Sequence, residues 1–463
     1  MPQANPTERP PRMPVSFRTI SDLARALRAR ELSAETATLE CLERIAERNP
    51  ALNAYIAVLA DQALAQARQA DAELAAGRDR GPLHGVPISL KDIIDLEGVP
   101  TTAASNVRSG HVAAGDSLVV VRLREAGAVF LGKANLHEFA FGTTNEDSAF
   151  GLVRHPLDPN RSPGGSSGGS AAGVMDGMAY ASIGTDTGGS VRIPSAACGL
   201  VGLKPSLGEI PLDGVFPLST TMDHVGPLCR SVTDAGIVFD ALRGRAAQNR
   251  APRDMKGLRV GVLRGYFTSM LDTQVGAAFE ATCDALSEAG ARLEEVQIPH
   301  TGDIAPIYLH IVLAEAAAIH AKTLDSHAGH YTPNVRIRLE MGRYILAEDY
   351  VRALRGRDLL IEEVDAALRS RDALLLPSLG VPAIRLGAAT VKVGGVEEPV
   401  RNIMLRLTQL FNITGHPAIT IPYGATTDGL PIGAQLVGCR GGSDDLLSVA
   451  TGAESLLQPG PGR

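Results

Sequence analysis

Short apolar runs that alternate with helical patterns limit what this chain can fold into more than any other feature. The runs at 86–90, 128–132 and 178–184 are bounded by glycine or proline, which is typical of buried β-strands. A helical pattern near 117–126 separates the first two runs. Alternation of helices and buried strands predicts a layered α/β fold.

The second half of the chain shows the same alternation of apolar runs and helical patterns. Residues 257–263, a helix over 274–289 and residues 292–298 predict one βαβ unit. Residues 305–370 are strongly helical. Strand character then returns in three apolar runs, at 373–377, 418–422 and 432–438. Because similar strands lie on both sides of the helical stretch, we expect one sheet rather than separate domains.

The N-terminal region, residues 18–80, is helical by pattern throughout. Ser21 is predicted to cap a first helix and Ser33 a second. An alanine-rich third helix is predicted to end at Gly77. The residues before this region have no apolar core of the kind that a signal peptide needs, so we expect none.

These patterns predict three segments. Residues 1–16 form a disordered tail, and residues 458–463 form a flexible one. Between them, residues 17–457 form a single α/β domain, with a helical and βαβ portion at about 245–370.

The charge balance argues against several classes of partner. The chain has 44 lysines and arginines against 51 aspartates and glutamates, a net charge of −7, and no basic cluster, so we expect no nucleic-acid partner. No run of 18 apolar residues is free of charges or helix breakers, so we expect no membrane partner. Five scattered cysteines without a CxxC pair are typical of reduced thiols. We expect a cytoplasmic monomer or homodimer.

A first glycine- and serine-rich segment spans 162–173. It lacks the lysine of a phosphate loop, and no strand precedes it as a dinucleotide fingerprint requires. Around Ser166 it matches the GxSxG pattern of a nucleophile elbow. That elbow also follows a strand, and three prolines in the nine preceding residues oppose one. A flexible loop is the simplest alternative.

A second such segment, 180–194, does follow a predicted strand. Gly188 and Gly189 directly precede Ser190 in it. Backbone N–H groups of such a turn can converge on one point and bind an oxyanion, and a serine at its end can attack a carbonyl. The alternative is a simple tight turn.

A serine nucleophile needs a base. The chain has only six lysines, so a retained lysine is a candidate for chemistry that arginine cannot do. Lys91 ends an apolar strand, where burial lowers the pKa of a lysine. Lys133 lies in a similar context, and we interpret it as structural. Codon bias or a surface charge are the alternatives for either residue.

Three segments together resemble the amidase signature family. They are HGVPISLKD (84–92), PGGSSGGSAAG (163–173) and GTDTGGSVRIPSAACGLVGLKPS (184–206). The resemblance extends over roughly residues 20–455 and weakens through 245–400. It implies a large mixed, mainly central β-sheet that helices cover on both faces.

The resemblance also implies a mechanism. Ser190 would be the nucleophile, and Ser166, joined to Gly165 by a cis peptide bond, would relay its proton to a neutral Lys91. The oxyanion hole would consist of backbone N–H groups of Thr187, Gly188, Gly189 and Ser190. Asp186 and Arg192 would hold the turn in shape.

The substrate is less well determined. Ile193 stands close to Ser190 where a charged residue would serve an acidic substrate, so we favour a neutral amide or carbamate, as in a urethane-cleaving enzyme. Candidate substrate-binding residues are Ala140, Phe141, Gly142, Gly165 and Ile193. We expect no metal and no organic cofactor, because no ligand cluster or phosphate loop is evident.

Three alternatives stay open. The chain could be an amidotransferase A-type subunit that supplies ammonia from Gln or Asn to a partner protein. It could be a non-catalytic relative that binds a ligand, although Lys91, Ser166 and Ser190 are all present. It could also be an esterase-type hydrolase in which Ser166 attacks and a distant histidine is the base.

Overall fold

The computed structural model of the chain describes residues 19–457. Both predicted tails lie outside these residues. The strands are β1 (Tyr55–Val58), β2 (Pro87–Lys91), β3 (Val129–Ala134), β4 (Ala181–Asp186), β5 (Val201–Lys204), β6 (His224–Cys229), β7 (Arg259–Leu263), β8 (Arg292–Val296), β9 (Ala373–Pro377), β10 (Thr390–Val393), β11 (Val396–Pro399), β12 (Ala418–Ala425) and β13 (Pro431–Val437).

The α-helices surround these strands in the sequence. They are α1 (Ile20–Ala29), α2 (Ala34–Leu52), α3 (Ala60–Ala75), α4 (Leu118–Glu125), α5 (Gly168–Met175), α6 (Arg192–Ala197), α7 (Val232–Leu242), α8 (Thr273–Glu288), α9 (Ile304–His327), α10 (Pro333–Gly342), α11 (Ala347–Leu368), α12 (Val400–Leu405), α13 (Gln409–Ile413) and α14 (Ser443–Leu457).

Eleven strands form one mixed sheet, in the order β1-β3-β2-β4-β6-β5-β12-β13-β9-β7-β8. Strand β2 runs parallel to β3 and β4, and β7 runs parallel to β8 and β9. The strands between these groups pair antiparallel. The predicted α/β fold, with a large mixed central sheet and flanking helices, is confirmed. The shared sheet favours the predicted single domain, which stays a prediction.

The N-terminal region differs from its prediction in two places. Residues 55–58 form an edge strand, because Tyr55 and its apolar neighbours pair antiparallel with β3. Thr19, not Ser21, caps α1 by accepting a hydrogen bond from the Asp22 N–H. Ser33 caps α2 as predicted.

Helix α9 is long and apolar, and with its flanking turns it is the one span among residues 19–457 that could cross a membrane by length and composition alone. More than half of its most apolar stretch is buried inside the protein, at 56%. It packs against α10 and α11. Burial of this kind is typical of a core helix in a globular protein.

The sheet register positions the predicted catalytic residues. Ser89 of β2 lies opposite Ser182 of β4, and the two strands are parallel. Their carboxyl ends therefore meet at one edge of the sheet, as ligand sites in α/β sheets require. Lys91 ends β2, and the turn that carries Ser190 follows β4.

Candidate active site

Lys91 and Ser166 lie in direct contact in the interior. The Lys91 Nζ atom is 2.7 Å from Ser166 Oγ and 2.9 Å from Thr185 Oγ1. Both Lys91 and Ser166 are fully buried. The Gly165–Ser166 peptide bond is cis, as the family resemblance implies.

Ser190 adjoins this pair and reaches the surface. The Ser167 N–H donates a hydrogen bond to the Ser190 carbonyl at 3.3 Å, which joins the two serine-bearing segments. Ser190 is 7% exposed, whereas Ser166 is 0% exposed. Of the two, only Ser190 is therefore open to a substrate.

Burial lowers the pKa of Lys91 to about 7, and the negative charges of Asp186 and Asp223 oppose this shift. Lys91 forms no ion pair with any of residues 19–457. A large fraction of Lys91 is therefore neutral near pH 7, and a neutral amine can accept a proton.

An ion pair holds the turn from 187 to 190 in place. Burial raises the pKa of Asp186, but the charge and hydrogen bonds of Arg192 outweigh this, and the pKa lies below its usual range. Arg192 contacts Asp186 through Nε at 3.0 Å and Nη2 at 2.9 Å. The Asn412 amide donates to Asp186 as well, at 2.8 Å.

The glycines of the turn pack closely against neighbouring side chains. The Gly188 carbonyl accepts a hydrogen bond from Thr408 Oγ1 at 2.5 Å. A Cβ atom on Gly188 would collide with the Tyr308 hydroxyl, so a larger residue would have to displace that side chain. Gly189 has a φ of +139°, which side-chain-bearing residues rarely adopt. The turn is thus fixed before any substrate binds.

Asp223 is a further residue at this turn. It accepts hydrogen bonds from Thr187 Oγ1 at 2.6 Å and from the N–H groups of Leu218 and Ser219. Burial nevertheless raises the pKa of the Asp223 carboxyl to about 6. Sequence reasoning missed Asp223, although residue 223 lies within the range that the family resemblance covers.

Thr185, Tyr308, Thr408 and Asn412 were also missed. Thr185 stands one residue before Asp186, so its position was a usable signal. The other three lie more than 100 residues downstream, Tyr308 where the resemblance weakens and Thr408 and Asn412 beyond that stretch.

The predicted substrate-binding residues fall into two groups. Ile193 is buried against Gly164 and Gly189, and Gly165 packs on the backbone at Asn145. In the other group, Ala140 has a positive φ of +58°, Phe141 is buried, and Gly142 packs on the His137 ring.

A cavity of about 540 Å³ opens beside the turn. Tyr308 and Leu405, the two side chains that crowd Gly188, form part of its wall. Arg401 and Arg406 also line the cavity. None of the five predicted substrate-binding residues is among its lining residues.

Comparison with known proteins agrees with this architecture. Residues 36–447 match the family model described as Amidase. The chain is 41% identical over 427 residues to an amidase of Pseudomonas putida, covering 89% of this chain and 90% of that protein. It is 35% identical to the A-type subunit of the glutamyl-tRNA(Gln) amidotransferase of Koribacter versatilis, covering 96% of this chain and 99% of that protein. A crystal structure of an amidase superposes with a TM-score of 0.90 at 36% identity, covering 95% of this chain and 100% of that one.

The chain therefore belongs to the amidase family. It is an enzyme, a serine-type amidase that hydrolyses carbon–nitrogen bonds other than peptide bonds. Members of this family act on small amide substrates.

Proposed function

We propose that this chain cleaves an amide or carbamate through an acyl-enzyme formed on Ser190. The observation that carries the proposal is the contact of a buried lysine of lowered pKa with Ser166, next to the serine that reaches solvent. Ser190 Oγ attacks the carbonyl carbon as its proton passes through Ser166 to neutral Lys91. The N–H groups of the turn from Thr187 to Ser190 stabilise the oxyanion.

Collapse of the tetrahedral intermediate breaks the carbon–nitrogen bond. The proton held by Lys91 returns through Ser166 to the leaving nitrogen, which departs as an amine. Water then attacks the acyl-enzyme, its proton follows the same route, and Ser190 is restored. Asp186 and Arg192 act in this scheme by holding the turn, because their hydrogen bonds are satisfied within the protein.

The elbow alternative has less support. Ser166 is fully buried, and no histidine ring within residues 19–457 hydrogen-bonds to Ser166 or Ser190. A histidine base would therefore have to move into place.

The test is the substitution Ser190→Ala with a serine-directed fluorophosphonate as probe. We expect the parent to be labelled on Ser190, and the variant to lose labelling and about 10⁴-fold or more in kcat because the nucleophile is gone. Thermal unfolding checks that the variant is folded. Labelling of Ser166 in the parent would instead support the elbow.

A second candidate is ammonia supply to a partner protein, because the relatives of this chain include A-type subunits of glutamyl-tRNA(Gln) amidotransferases. That role predicts that glutamine or asparagine is the preferred amide donor and that a partner raises the rate. A panel of glutamine, an aryl acetamide and an aryl carbamate separates the two roles. Our proposal is the free-standing enzyme, a cytoplasmic monomer or homodimer without nucleic-acid or membrane partners.

A further inference from the structure

The cavity beside the oxyanion turn has an unusual charge distribution. Its wall begins at Tyr308 and Leu405, which contact the turn at Gly188, and it includes Arg401. Arg401 is half-buried, and within residues 19–457 it forms neither an ion pair nor a hydrogen bond. Burial lowers the pKa of the Arg401 guanidinium. The cavity that contains this positive charge and the turn thus share Tyr308 and Leu405 as neighbours.

A second arginine reinforces this charge. The guanidinium carbons of Arg401 and Arg338 lie 5.4 and 5.9 Å from the centre of the Phe141 ring. Arg338 Nη1 also donates a hydrogen bond to the Phe141 carbonyl at 2.7 Å. Burial, and then the charge of Arg401, lower the pKa of Arg338 to about 10. The two cations repel each other and share only an aromatic ring.

Nearby acids compensate the pair only in part, because the charge of Asp147 opposes the lowering of the Arg338 pKa without forming an ion pair with it. Glu398 lines the same cavity but forms no ion pair within the described part of the chain. Asp147 contacts Asn334 and lies 3.2 Å from the His137 ring. By contrast, the buried Arg192 is paired with Asp186. Half-buried cations without an ion-pair partner are costly, which points to an anion supplied by a ligand.

We propose that Arg401, with Arg338 beside it, binds a carboxylate on the amide substrate, so that the natural substrates are amides carrying a free carboxylate. A guanidinium matches a carboxylate with two parallel hydrogen bonds. Because Tyr308 and Leu405 belong to the cavity wall and also pack against Gly188, a carboxylate at Arg401 would lie across these two side chains from the oxyanion turn. This inference rests on the proposed function.

The inference departs from the neutral substrate that the sequence favours. That expectation used residues close to Ser190 in sequence, where Ile193 stands. The arginines come from residues 338 and 401, which only the fold brings to the site.

The experiment compares matched substrates. One pair carries the carboxylate on the acyl side, the 4-nitroanilides of glutaric acid and of pentanoic acid. The other carries it on the amine side, 4-(butanoylamino)benzoate and the butanoyl amide of 4-methylaniline. We expect kcat/KM of the parent to favour the carboxylate member of at least one pair by about 30-fold, as lost charge-assisted hydrogen bonds predict.

Variants locate the effect. Arg401→Gln should remove about 30-fold in kcat/KM for the preferred carboxylate substrate, chiefly through KM, and leave its neutral partner within about threefold. Arg338→Gln should act in the same direction. The matched control is Arg336→Gln, because Arg336 lies on helix α10 with Arg338 but is exposed and paired with Glu340. This control should behave like the parent.

Binding to the Ser190→Ala variant, measured by calorimetry, tests the inference separately from catalysis. The carboxylate member of the preferred pair should bind more tightly than its neutral partner, and adding Arg401→Gln should abolish the difference. Equal affinities in Ser190→Ala, or equal effects of Arg401→Gln on charged and neutral substrates, would overturn the carboxylate site and leave the nucleophile assignment standing. Undiminished hydrolysis by Ser190→Ala would overturn the proposed mechanism, whereas the affinities would still decide the carboxylate site.

Discussion

Two lysines lie near the carboxyl ends of the neighbouring parallel strands β2 and β3, and their surroundings differ. Lys91 and Lys133 are both fully buried. Lys91 contacts two hydroxyl groups, those of Ser166 and Thr185. Lys133 forms an ion pair with Asp92 at 3.0 Å and also contacts Thr101 Oγ1 at 3.0 Å. One residue type therefore occupies two kinds of site about one strand apart.

The difference shows how partners decide what a buried lysine can do. A carboxylate in contact favours the charged form and opposes the effect of burial, as Asp92 does at Lys133, although burial still lowers the pKa of Lys133. Hydroxyl groups satisfy hydrogen bonds of Lys91 without a carboxylate in contact, and Asp186 and Asp223 only partly oppose burial, so the pKa falls to about 7. We infer that Lys91 is the proton acceptor and that Lys133 is structural.

The largest expected effect is on catalysis by Lys91 variants. We expect both Lys91→Met and Lys91→Arg to lose about 10³–10⁴-fold in kcat/KM, because neither side chain accepts a proton at neutral pH. Lys133→Arg is the matched control and should keep most activity, since it retains the charge beside Asp92. Circular dichroism and thermal unfolding establish that each variant is folded. Near-parental activity of Lys91→Arg would show that the residue serves only as a fixed charge.

The next effect is on stability. Lys133→Met leaves Asp92 buried without its ion-pair partner, so we expect a loss of about 3–5 kcal/mol in the free energy of unfolding. Urea denaturation at pH 7 measures it. The double variant with Asp92→Asn should recover part of the loss, because the uncompensated charge is then gone. A single variant as stable as the parent would mean that the ion pair contributes nothing.

The Lys91→Met substitution should raise the free energy of unfolding, whereas Lys133→Met lowers it. In the parent, the pKa of Lys91 is about 7 when folded and near 10.5 when unfolded, so the unfolded chain binds more protons between these values. Parental stability from this group therefore rises with pH across that window. We expect Lys91→Met to be more stable than the parent by about 1–2 kcal/mol at pH 6–7, and the gain to shrink toward pH 10. A destabilised variant whose difference from the parent is independent of pH would contradict the lowered pKa.

Local sequence features predicted the strands that carry the site. The run 86–90 lies almost entirely within β2, and the run 178–184 overlaps β4, because both are continuous apolar segments bounded by glycine or proline. Strands β5 and β6 were not predicted, since glycine and Pro227 interrupt their apolar pattern.

The residues that hold the turn in place could not be predicted from local sequence features. Thr408 and Asn412 reach Gly188 and Asp186 across separations of 220 and 226 residues. Arg338 reaches Phe141 across 197 residues. Contacts of this kind follow from the packing of α10, α12 and α13 around the sheet, and a hydrophobic pattern does not predict them.

The smallest effect, and the one that bears most directly on the comparison, is the pH dependence of the parent. If neutral Lys91 is the base, kcat/KM should rise about tenfold per pH unit below pH 7 and level off above it, with an apparent pKa that belongs to the coupled Lys91, Ser166 and Ser190 unit. The measurement uses a neutral anilide, so that titration of the substrate does not contribute. Lys133→Arg should leave this limb in place, because its charge stays paired with Asp92. Thr185→Val removes one hydroxyl beside Lys91 and should move the limb, since that hydroxyl lies 2.9 Å from the titrating nitrogen. A limb that moves only in the Lys133 variant would assign the proton to Lys133. A flat profile from pH 5 to 9 would assign it to neither lysine.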